Sequence, residues 1–71
     1  MDHKIVILKI VKENQPIGIH KFDRLFYDKV DFSVPWPPLM AELRNEGMVE
    51  TVNGYLITKK GERYLNQNST N

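Results

Sequence analysis

Seventy-one residues at 8.3 kDa allow one domain with one thin core; by size scaling such a chain buries only about three-fifths of its unfolded surface. Hydrophobic residues at 41% and charged residues at 27% give an ordinary globular balance, and the lack of cysteine excludes disulfide staples and thiolate zinc sites. The formal charge of +1 is too small for a bulk polyanion binder, so a nucleic-acid role must rest on local placement.

The first segment, Lys4 to Lys12, is rich in β-branched residues and reads two ways. At about 100° per residue, Val6, Ile7, Leu8, Ile10 and Val11 share one side, Lys9, Lys12 and Glu13 take the other, and Ile5 is out of place. As a strand, Val6, Leu8 and Ile10 would share a face with two lysines. The helix fits better, and Pro16 ends it, because the residue before a proline is driven out of helical geometry. The longest early apolar run, Ile5 to Leu8, predicts neither a membrane span nor a secretory leader.

Ile19, Phe22, Leu25 and Phe26 recur at helical spacing and predict a second helix to about Tyr27. A turn follows over Asp28 to Ser33. In Val34-Pro35-Trp36-Pro37-Pro38 the prolines delay the third helix to Pro37 or Pro38. Leu39, Met40 and Leu43 form its apolar stripe, and Gly47 stands where a left-handed C-cap belongs. Asn53-Gly54, between two runs of β-formers, predicts a two-residue turn pairing Val49–Val52 with Tyr55–Thr58. Thr58 then caps a last helix reaching about Leu65, with 67–71 a polar tail. The expected fold is α+β, mainly α, as a single domain over residues 1–66. The expected core is Ile7, Ile10, Phe22, Leu25, Phe26, Leu39, Leu43, Val49 and Leu56.

Three helices, a hairpin and a short helix is the order of a winged helix-turn-helix domain. Leu43-Arg-Asn-Glu-Gly-Met-Val-Glu50 resembles the stretch joining recognition helix to wing in bacterial and archaeal regulators of that family. Tyr55-Leu-Ile-Thr-Lys-Lys-Gly-Glu-Arg-Tyr-Leu65 resembles the stretch that closes the wing and opens the next helix. The resemblance implies a DNA-binding transcriptional regulator or accessory factor whose third helix enters the major groove. Its partner would be double-stranded DNA.

Lys21 and Arg24 share a face of the second helix, the element that lies across the DNA backbone in that family, where such side chains supply phosphate contacts. Arg44 is the cation of the third helix, and Lys59 and Lys60 open the last. These five are the candidate DNA-binding residues; an ordinary solvated surface is the alternative reading of each. The family pattern fails elsewhere. A recognition helix offers its N-terminal residues to base edges, and here those are Trp36, Pro37, Pro38, Ala41 and Glu42, the last an anion facing a polyanion. Residues 31–50 carry one positive and four negative charges, and the wing tip has no Lys or Arg. Base reading should therefore be weak.

A second reading makes the domain a protein-interaction module that docks through Phe32, Val34, Trp36 and Pro37, with a homodimer as a further form. Trp36 fits two places, a plug under the turn or a member of that patch. His20 and Asp23 lie one helical turn apart but lack the third ligand a zinc site needs. With no recognisable catalytic set or glycine-rich phosphate loop, the expectation is a cytoplasmic non-enzyme without cofactor or metal, acting away from membranes.

Overall fold

The computed structural model describes residues 2–68. The chain runs α1 (His3–Asn14), α2 (Ile19–Lys29), α3 (Pro37–Asn45), β1 (Val49–Thr51), β2 (Tyr55–Ile57) and α4 (Lys59–Asn68). It is an α+β arrangement, mainly helical, and its Cα radius of gyration of 11.1 Å is that of a close-packed chain of this length.

The β-branched opening segment is a helix because it is central: α1 packs against α2, α3, α4 and β2. Burial of Ile7, Leu8, Ile10 and Val11 overrides a modest helix propensity. Ile5, misplaced in the helical projection, packs half-buried against the core instead of facing solvent. Asp2 caps the helix, its Oδ1 accepting the Lys4 backbone N–H at 2.9 Å. Helix α2 runs two residues past Tyr27, and the Val30 N–H closes it on the Phe26 carbonyl at 3.0 Å.

Gly47 ends α3 as the sequence predicts, at φ +78°. The Met48 N–H donates to the Leu43 carbonyl (2.9 Å) and the Gly47 N–H to that of Arg44 (3.0 Å), the paired bonds of a Schellman motif. Thr58 also takes its expected place: its Oγ1 accepts the Gly61 N–H at 3.0 Å while its hydroxyl donates to the Gly47 carbonyl at 2.6 Å. One side chain thus starts α4 and ties it to the end of α3. Gly61 is required by the same junction. A Cβ there would lie 2.3 Å from the Met48 carbonyl oxygen and 2.8 Å from Ile57 Cγ1.

The hairpin corrects the sequence reading by one residue. Val49 pairs with Ile57, Glu50 with Leu56 and Thr51 with Tyr55, leaving a three-residue loop, Val52-Asn53-Gly54. A two-residue turn would need Tyr55 to exchange hydrogen bonds with Val52. Tyr55 instead exchanges both with Ile17, at 2.8 and 3.2 Å, and the Gly54 carbonyl accepts the Val52 N–H at 2.9 Å. The slip exchanges the faces of β2. Ile57 is therefore buried, and Leu56, expected in the core, is only half-buried and outside the core cluster. Leu25 and Leu39 pack against the core half-buried, while Ile7, Ile10, Phe22, Phe26, Leu43 and Val49 are buried as expected. Helix α4 extends to Asn68, so residues 67 and 68 of the expected polar tail are helical; 69–71 lie outside the described residues.

Three substitutions test this packing by urea denaturation. Leu43→Ala, at a fully buried site, is expected to cost about 2–5 kcal/mol. Gly61→Ala should cost about 1–3 kcal/mol or more by overpacking, whereas Gly18→Ala, with nothing within 4 Å of the added carbon, should leave stability nearly unchanged. Equal effects at the two glycines would show that the α4 junction is not as tight as described.

Candidate functional site

Trp36 decides which surfaces are available. It stands immediately before α3, where Pro37 occupies the first helical position with its preset φ. Its ring packs edge-on to Phe22 at 4.6 Å between centroids and to Tyr55 at 6.2 Å, joining α2, α3 and the hairpin. Its Nε1 donates to Asp23 Oδ1 at 2.8 Å, so the indole's polar atom is satisfied and the residue is only 5% exposed. Of its two sequence-based places, Trp36 takes the plug, and it is corrected out of the docking patch. Asp23 is committed to this bond, and among the described residues no group of three or more His, Cys, Asp or Glu could hold a metal ion.

Of the rest of that patch, Phe32 and Pro37 are exposed. Phe32 is 82% exposed and packs at a 54° tilt against the Tyr27 ring, 5.0 Å between centroids; the Tyr27 hydroxyl donates to the Val34 carbonyl at 2.6 Å, which fixes the chain between α2 and α3. Val34 is half-buried against the core and Pro37 is exposed.

All five predicted cations are exposed, and among the described residues none forms an ion pair. Lys21 and Arg24 stand about 60° apart on the outward side of α2, by helical projection. Lys60 lies over the α3–β1 turn, its Cδ 4.0 Å from where a Gly47 Cβ would be, at the end of the helix that carries Arg44. Lys59 is the first residue of α4. The fold thus brings Lys60 to the Arg44 end of α3, with Lys21 and Arg24 on a separate helix and no hydrogen bond joining the two groups.

The acidic residues of α3 are placed differently from expectation. Projected at about 100° per residue, Pro38, Ala41 and Asn45 lie opposite the core side of Leu39, Met40 and Leu43, and Pro37 and Glu42 border that stripe on its two sides. Glu42 and Glu46 lie on the flank toward α1. There Lys4 Nζ is 2.9 Å from a Glu42 oxygen and 3.6 Å from one of Glu46. Glu42 thus borders the outward side of α3, its carboxylate held toward α1 by Lys4 while its side chain stays 57% exposed. The sequence gives no periodic sign of this cluster, because its members belong to the first and third helices. Hydrogen bonding to Glu42, together with the charges of both glutamates, holds the Lys4 ammonium above the ordinary lysine range against a smaller desolvation effect.

A mostly apolar cleft of about 380 Å³ opens between the start of α2 and the hairpin, lined by Ile17, Gly18, Ile19, Thr51, Asn53, Gly54 and Tyr55. It brings no acid–base pair together, as Tyr55 is its one ionisable residue. No helix of the described residues is long and apolar enough to cross a membrane. No protein family, curated protein or solved structure matches the chain.

The Lys4 cluster has a pH signature. A folded-state pKa above the unfolded one contributes stability that is complete below the unfolded value, about 10.4, and is lost as pH rises through the folded value. Lys4→Met should be less stable than the native chain by under about 1 kcal/mol at pH 7, and the difference should narrow once pH rises past the unfolded lysine value. Urea titrations at pH 7 and above that value check this; a difference that grows with pH contradicts the assignment.

Proposed function

We propose that this chain is a small winged helix-turn-helix DNA-binding module, a transcriptional regulator or accessory factor rather than an enzyme. The observation that carries the reading is the presentation of α3. Its outward side presents Pro38, Ala41 and Asn45, the glutamate bordering them is paired with Lys4, and Arg44 and Lys60 stand at its far end. The helix–helix–helix–hairpin–helix order and the two stretches similar to regulators of that family support the same reading.

The physical chemistry of this surface favours phosphate contact over base reading. Guanidinium and ammonium groups at Arg24, Arg44, Lys21, Lys59 and Lys60 meet phosphates as charged donors. The α3 stripe holds one base-reading amide, Asn45, at the end of the helix farthest from the positions that normally meet bases. The module is therefore a weakly discriminating binder whose affinity depends on salt.

A second reading rests on Phe32. A phenyl ring 82% exposed on the Tyr27 ring, beside Val34 and Pro37, is a ready anchor for a protein partner. It excludes Trp36, which is internal.

Four to five phosphate contacts predict a log–log salt slope of about −4 for random duplex DNA, at roughly −0.9 per contact. Arg24→Ala or Lys21→Ala should each flatten it by about one and weaken all sequences alike. Amide-shift titration at two salt concentrations tests the surface. Shifts confined to residues around Phe32, or none in α2 and α3 at micromolar DNA, overturn the DNA reading in favour of the interaction module.

A further inference from the structure

We infer that Lys4 is a positioning residue for nucleic-acid binding: it touches no DNA, but ties Glu42 and Glu46 to the flank of α3 and so keeps its outward stripe open to a polyanion. The inference rests on the DNA-binding reading above and adds to it a residue far from that stripe.

The geometry is specific. Lys4 reaches from the first turn of α1 across the helix interface, at 2.9 Å from Glu42 and 3.6 Å from Glu46, residues one turn apart on α3. Its side chain is 23% exposed against 57% and 46% for the two glutamates, so the shared cation is the inner member of the cluster. Each partner is also unfavourably placed on its own helix. A cation in a first turn faces the positive end of the α1 dipole, and carboxylates in and just after the last turn face the negative end of α3. Neither helix on its own gains from these charges. They are compensated across the interface, so removing Lys4 frees two anions that α3 itself repels, beside the stripe that has to approach phosphate.

A double-mutant cycle on the full chain tests this, with fluorescence anisotropy of a labelled random-sequence duplex as readout. The variants are Lys4→Met, Glu42→Gln with Glu46→Gln, and all three together. Lys9→Met, on the α1 face beside Glu13 and Leu65, is the control for net charge. Lys4→Met should weaken binding more than Lys9→Met, and the gain from the glutamine pair should be about fivefold larger in the Lys4→Met background than in the native one. The salt slope should stay within a few tenths of native, since no phosphate contact is lost, whereas a lysine on phosphate would flatten it by about 0.9. Lys4→Arg should retain native affinity.

Additive effects, equal losses at Lys4 and Lys9, or a flattened slope overturn the inference. Binding by the native chain with any of these results leaves the DNA reading standing and removes the clamp; no binding by the native chain removes both. Circular dichroism accompanies every variant, and if Lys4→Met fails to fold, Lys4→Gln completes the cycle.

Discussion

The backbone pair between Ile17 and Tyr55 sets most of what this small domain can be. Both hydrogen bonds of Tyr55 leave the hairpin for the segment joining α1 to α2, so β2 lies between β1 and that segment. Beyond the pair, the Ile57 N–H donates to Gln15 Oε1 at 3.1 Å and continues the same edge. A two-stranded hairpin alone is marginal in water. Here its outer edge is satisfied by Gln15 and Ile17, and its inner face by Val49 and Ile57 against the core. The pair also fixes composition nearby: a Cβ at Gly54 would come 2.9 Å from the Ile17 carbonyl oxygen, at a φ of +122° that side chains rarely adopt. Tyr55, held there, presents its ring to Phe22 and Trp36, so the same bonds seat the residue that leads into α3.

That constraint explains what was legible in the chain and what was not. Helix positions follow from local information: the recurrence of Phe22, Leu25 and Phe26, the prolines before Leu39, Gly47 after the stripe, and Thr58 before Gly61. Hairpin existence was equally local, carried by Asn53-Gly54. The register was not, because Ile17, distant in sequence, decides which way Tyr55 points its hydrogen bonds. One residue of slip exchanged Leu56 for Ile57 in the core. The candidate site divides in the same way. Exposure of Lys21, Arg24, Arg44, Lys59 and Lys60 follows from their place on helical faces. The cluster of Lys4 with Glu42 and Glu46 depends on how α1 crosses α3, which no local pattern records. The place of Trp36 depends on Asp23, thirteen positions earlier, which accepts its N–H.

The acidic charge of this stretch is spread over several faces of the fold. Residues 31–50 are the most acidic stretch, yet charge acts where side chains stand, not where they fall in sequence. Two of the four anions of that stretch are drawn to α1. A third, Asp31, accepts the Ser33 backbone N–H at 2.8 Å in the turn before α3, a bond that holds its carboxyl below the ordinary range.

The start of α3 carries the same argument one step further. A helix N-terminus attracts anions through backbone N–H groups that lack intrahelical partners. Here the first two helical residues are Pro37 and Pro38, which have none to give, and the Met40 N–H already donates to the Trp36 carbonyl at 2.9 Å. Leu39 alone keeps a backbone donor to offer in that turn. On the DNA-binding reading proposed above, phosphate affinity would come from side chains rather than from the helix end. Such contacts neutralise charge without fixing the register of a base edge. The two prolines give α3 a rigid start and a fixed entry from Trp36.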